Sequence, residues 1–232
     1  IKQTVQEKNA TTSYVASSVP KSTEKAEANA ARSYTGDATS SGESSLGSAI
    51  LDGIVSRYTA LQDQGLYTEG VGESVAKKMA NDLSPTVPYR TYTSSDVKTD
   101  ADTSASRLQR YSDDLRVSLA PLRINTQPEF EIFAYYIDTK DEKYLARLKE
   151  VAQYYRDAAS ATARVVVPAD AAIQHVAILN AMEEFAAMLD ALAANATDPY
   201  ASVALLRTYN QAESDMYLSF KALVVYYKLN NT

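Results

Sequence analysis

The chain has 232 residues, no cysteine, no tryptophan and one histidine, which excludes disulfides, thiol chemistry and the common His/Cys zinc sites. Its formal charge of −6 repels phosphate backbones and anionic membrane surfaces, and no Lys/Arg run with interleaved aromatics offsets that, so no nucleic-acid partner is expected. Hydrophobic residues at 45% suffice for a core, while seven glycines and seven prolines, placed at segment ends, favour helices over a turn-rich β fold.

Residues 1–44 read as a polar, disordered tether of Ser, Thr, Ala, Lys, Glu and Gln. Tyr14, Val15, Val19 and Tyr34 are isolated there, so little apolar area can offset the ordering entropy. Residues 45–232 read as one helical domain. Leu46, Ile50, Ile54, Tyr58 and Leu61 recur at helical spacing, and Gly65 follows as a stop. Val71, Val75, Met79 and Leu83 form a second stripe, closed by Pro85. Residues 85–101 form an irregular connection, and a third helix then starts near Asp102, capped by Asp102 or Thr103, with Leu108, Tyr111, Leu115 and Leu119 on one face.

Two capping boxes are expected next. Thr126 with Glu129 opens a short aromatic helix carrying Phe130, Phe133 and Ile137. Thr139 with Glu142 opens a longer one carrying Tyr144, Leu148, Val151, Tyr155 and Ala158. Val165, Val166, Val167 and Pro168 end it. From Pro168 a helix runs to about Ala194, with His175, Ile178, Leu179, Met182, Phe185, Ala186, Leu189 and Leu192 as its stripe. Asp198 and Pro199 supply the cap and first turn of the last helix, which carries Val203, Leu206, Tyr209, Met216, Phe220, Leu223 and Tyr227 to about Leu229. The short connection between these two makes them an antiparallel hairpin. The fold class is therefore all-α: a six- to seven-helix bundle with a long C-terminal hairpin as its spine.

No catalytic motif stands out, and no catalytic, cofactor or metal-binding residue is assigned. His175 lacks a carboxylate at the following helical turn, where Ile178 and Leu179 stand, so it reads as a core histidine donating to a carbonyl; its functional reading is a pocket residue, together with Tyr209. Asp100, Asp102 and Ser104, preceded by Asp96, resemble the start of a calcium loop, but Ala105 and Tyr111 stand where glycine and glutamate are needed. Glu183, Glu184, Asp190, Glu213 and Asp215 could pair for acid–base work in a cleft, yet charges on long helices are ordinarily the wet face. Seventeen tyrosines are the unusual signal. Tyr154 and Tyr226 each adjoin an inward ring and are expected to point outward; with Tyr200 they are the interface candidates.

The Ser/Thr-rich tether, the segment Tyr92-Thr93-Ser94-Ser95-Asp96-Val97 and residues 198–213 (DPYASVALLRTYNQAE) give the chain a resemblance to uncharacterised, envelope-anchored all-helical proteins of reduced-genome bacteria. The resemblance implies an extracytoplasmic location, beside a secretion or pilus apparatus, and transfers no site residue. The chain begins at Ile1, so removal of a start codon, signal or anchor is expected, with membrane contact only through that missing segment. The expected function is a tethered, non-catalytic interaction or scaffold domain with a protein partner. The alternative is a sensor module that binds a small molecule or peptide in a Tyr-rich groove.

Overall fold

The computed structural model describes residues 44–66, 68, 70, 71, 73, 74, 78 and 85–230. The tether, Ser44 excepted, and most of the stripe around Val75, Met79 and Leu83 lie outside the described residues. Among those described, six helices form an all-α bundle: α1 (Ser45–Asp63), α2 (Ala105–Ser118), α3 (Glu129–Thr139), α4 (Lys143–Thr162), α5 (Ala172–Ala194) and α6 (Pro199–Asn230). Two short strands, β1 (Lys98–Asp100) and β2 (Val166–Pro168), complete it.

Helix α5 is the axis of the packing. It is apolar on nearly every side, and all eight residues of its expected stripe are buried. A helix of that composition is stable only when surrounded. Helices α4 and α6 flank it, and α3 packs against α4. Alanines 152, 158 and 159 of α4 and Ala186 of α5 are fully buried, so the backbones there approach closely without a void. Phe185 lies against Tyr209 near one end of the hairpin, and Ile178 shares a cluster with Leu223 near the other, as antiparallel α5 and α6 require.

The strands were not foreseen. Val165, Val166 and Val167 do end α4, but they then pair in parallel with the 98–100 segment, Lys98 opposite Val166 and Asp100 opposite Pro168. Three-residue strands far apart in sequence leave no alternation to read. A buried Arg107 fixes the pair, its Nε donating to Asp100 Oδ2 at 2.9 Å and its Nη2 to the Val166 carbonyl. The irregular 85–97 segment is held to α5 by Asn180, whose amide pairs both ways with the Tyr92 backbone: Tyr92 N–H donates at 2.6 Å and Asn180 Nδ2 donates back at 3.0 Å.

Several expected helix ends differ. Ser104, not Asp102 or Thr103, caps α2, accepting from the Arg107 amide; Asp102 instead holds the Ser104 amide. Neither expected capping box forms. Glu129 is drawn away to Tyr155 and Asn125. Thr139 ends α3, its hydroxyl donating back to the Tyr135 carbonyl, and Lys140 takes the left-handed conformation behind it. The buried face of α3 is Ile132, Phe133 and Tyr136, leaving Phe130 and Ile137 exposed. Helix α1 buries only Leu46, Gly47 and Ile50; Ile54 and Tyr58 of its expected stripe are exposed.

One carboxylate joins two helix N-termini. Asp198 Oδ1 accepts from the Tyr200 and Ala201 amides and so caps α6, as expected. Its Oδ2 accepts from the amide and hydroxyl of Ser44, the cap of α1, at 2.6 and 2.7 Å. Both N-terminal dipoles favour that negative charge. Burial alone would raise the carboxyl's pKa, but the donors from Ala201, Ser44 and Tyr200 outweigh it and hold it below the usual carboxylate range. Gly47 makes the approach possible, because a Cβ there would overlap the Asp198 carboxylate. Asp198→Ala is expected to cost about 1–2 kcal/mol as a lost cap. Gly47→Ala should weaken the same junction, and the double variant should lose less than the sum, since each change alone undoes the contact. Urea midpoints of the three variants check this.

Candidate functional site

His175 lies at the centre of a buried polar cluster spanning α2, α4 and α5. It is 0% exposed. Its Nε2 stands 3.1 Å from the Thr162 carbonyl, which can only accept, so Nε2 carries the proton. Nδ1 is then an acceptor, and the Tyr111 hydroxyl donates to it at 2.8 Å. Ser118 donates to the Leu115 carbonyl, and its oxygen lies 2.9 Å from the Thr162 hydroxyl. Burial pushes the His175 pKa down to about 4 and the Tyr111 hydroxyl well up. Every polar group of this chain of contacts is matched internally, so the arrangement joins helices and leaves no ring nitrogen for a ligand.

A second cluster gathers around Phe185. Tyr155 meets its ring at 4.9 Å edge-on, Tyr209 at 5.3 Å, and Phe130 lies 6.4 Å beyond Tyr209. The Tyr155 hydroxyl donates to Glu129 at 2.9 Å, and that of Tyr209 points to Glu213 at 3.5 Å. Burial, and then the neighbouring carboxylates, raise both hydroxyl pKa values. Tyr209, the other expected pocket residue, is thus a core ring with its hydroxyl at the rim.

Of the remaining carboxylates, Glu184 and Asp215 come near enough to act on one another, and the others go to separate partners. Asp190 pairs with Arg156. Glu183 is buried and accepts from the Tyr92 hydroxyl at 3.4 Å. Glu184 is half-buried, its pKa raised by desolvation and by Asp215, which itself accepts from Gln211. In the acidic turn, Asp96 is taken up by Thr93, Asp100 by Arg107 and Asp102 by Ser104.

Of the expected interface rings, Tyr200 is exposed, whereas Tyr154 is half-buried with its hydroxyl on Glu150. Tyr226 is turned inward, contrary to expectation. It is 8% exposed, its hydroxyl donating to Asp170 at 2.7 Å and its ring edge-on to Tyr227. Leu223 and Tyr226, one turn apart, set the buried line of the last turns, and Tyr227 shares it only in part.

That register leaves a different face of α6 open. Tyr217 (65% exposed), Leu218, Ala222, Val224, Val225 and Leu229 (72% exposed) all reach solvent. Helix α6 is apolar on two sides in its last turns, so the single stripe through Leu223 and Tyr227 leaves this face out. The available signal was the recurrence of Leu218, Ala222, Val225 and Leu229 at helical spacing. Compared with known proteins, the chain matches no family description, no curated protein and no solved structure.

Proposed function

We propose that this protein is a non-catalytic interaction domain, held outside the cytoplasmic membrane by its polar N-terminal segment, whose working surface is the outer face of α6. The observation that carries the reading is the contrast between core and surface. The polar groups of His175, Tyr111, Thr162 and Ser118 satisfy one another, while six apolar side chains are left in water along the last turns of one helix. Exposed apolar rows of that extent mark contact surfaces in soluble proteins. The location is supported by the composition of residues 1–44, which suits a spacer.

The test uses the full chain in its native cells. Leu218→Asp with Val225→Asp should leave the circular dichroism spectrum and urea midpoint within about 0.5 kcal/mol of the parent, because both positions are solvated. The same pair should release the proteins that co-purify with the parent. Protease added to spheroplasts should digest the protein. A parent that purifies alone from cross-linked cells overturns the interaction reading, and protection from external protease overturns the location.

A further inference from the structure

The open face of α6 is neither uniformly apolar nor arranged like an ordinary amphipathic boundary. At about 100° per residue, Leu218 and Val225 lie beside Ala222 and Leu229, while Tyr217 and Val224 form a row on the far side. Between them run Lys221 and Lys228, both exposed. The Lys221 ammonium sits 5.9 Å from the Tyr217 ring centre, so its stem lies along the apolar row. Among the described residues neither lysine forms an ion pair. Leu218, Ala222, Val225 and Leu229 follow one another at intervals of four, three and four residues, the spacing of a helix–helix seam.

We infer that this face docks an amphipathic helix of a partner protein that carries carboxylates along the margin of its apolar seam. The inference rests on the interaction reading above and adds the chemistry of the partner. Charge decides among the occupants. The four-three-four spacing is palindromic, so a second copy could pair antiparallel, Leu218 opposite Leu229 and Ala222 opposite Val225. That pairing sets Lys221 of one copy beside Lys228 of the other, and like charges across a seam disfavour it. A bilayer surface is disfavoured for another reason. Helices that lie in the interface keep their lysines on the polar side, whereas here the cationic row runs through the middle of the apolar face. A helix with Glu or Asp at its seam margins meets both requirements: its apolar residues cover Leu218, Val225 and Leu229, and its carboxylates meet the two ammonium groups. Such a cationic row on a chain of net charge −6 also favours encounters of acidic partners with this face.

Two synthetic helices with the same leucine seam serve as probes, one with glutamate at every margin position and one with lysine. Binding to the full chain is read by fluorescence anisotropy. The glutamate peptide should bind at least about tenfold tighter than the lysine peptide, and its affinity should fall as salt is raised. The charge reversal Lys221→Glu with Lys228→Glu should invert the preference at an unchanged urea midpoint. Equal affinities, no binding of either peptide, or a preference that the reversal leaves alone overturns the inference. So does concentration-dependent dimerisation abolished by Leu218→Asp, which assigns the face to a second copy. Tighter binding to vesicles of phosphatidylcholine and phosphatidylglycerol than to the glutamate peptide assigns it to lipid and also overturns the inference. If the peptides fail while native partners are still released by Leu218→Asp with Val225→Asp, only the acidic-helix inference falls and the interaction reading stands.

Discussion

Phe185→Ala is expected to destabilise the protein by about 3–5 kcal/mol, the cost of the lost transfer energy and of the cavity left behind. Phe185 is 1% exposed and stands where α4, α5 and α6 meet, between the rings of Tyr155 and Tyr209. Those two rings are held from outside by Glu129 and Glu213, so they cannot collapse into the space without leaving their hydrogen bonds. Sites that relax poorly lie at the upper end of the range. Phe220, at a similar depth in the sequence pattern, is only half-buried, and Phe220→Ala should cost less. Urea midpoints rank the two. Equal losses would mean that Phe185 is no better enclosed than Phe220, and an unchanged midpoint for Phe185→Ala would remove α5 from the centre of the bundle.

What could be read from the sequence follows from how many neighbours each residue's role requires. The stripe of α5 was legible because a buried helix repeats its apolar residues at its own period, and the cap at Asp198 because Asp before Pro is a local signal. The second use of Asp198 was not legible. Its Oδ2 meets Ser44, 154 positions away, and only the glycine at 47 hinted that something comes close to α1. Of the two capping boxes, the one at Thr139 is lost locally, its hydroxyl taken by the Tyr135 carbonyl, and the one at Thr126 fails because of a residue distant in sequence, as with Ser44. Thr126 with Glu129 satisfies the local rule, but the Tyr155 hydroxyl, on another helix, offers Glu129 a partner that the rule cannot include. The open face of α6 is hidden from periodicity for another reason. Leu223, Val224, Val225, Tyr226 and Tyr227 are consecutive, so periodicity alone cannot choose the inward line, and packing against α2 and the turn at Asp170 chooses Leu223 and Tyr226. Tyr226, expected to point outward, is therefore the buried ring, and the open row lies about a third of a turn away from it.

Stability is expected to fall by about 3 kcal/mol as pH drops from 6.5 to 4, a decline that begins before the carboxylates take up protons. His175 is fully buried and its folded-state pKa is pushed down from the ordinary 6.5 to about 4 by desolvation, against the opposing pull of the Thr162 carbonyl. The unfolded chain therefore binds a proton through this window while the folded chain does not, and stability rises with pH where the unfolded state holds more protons. The contribution is complete above pH 6.5 and is lost as pH falls toward the folded value; each unit of difference corresponds to about 1.4 kcal/mol. Asp96, Asp100, Asp102, Asp141, Glu150 and Asp198 have depressed carboxyl pKa values, so their losses begin as the unfolded carboxyls take up protons, below about pH 5, and overlap only the lower end of this window. Glu184, with its pKa raised by burial, gains its proton earlier in the folded chain and works in the opposite direction, so it cannot produce the decline. Protonated His175 would also carry a second N–H facing the Tyr111 hydroxyl, which must then turn its own proton away inside a closed site. His175→Gln keeps a group that can accept from Tyr111 and donate to Thr162 but does not titrate. It should be less stable than the parent at pH 7.5 and nearly independent of pH between 6.5 and 4.5. Urea unfolding at four pH values in this range gives both slopes. A variant that declines as steeply as the parent would place the titrating group elsewhere and show that His175 is not held neutral by the fold.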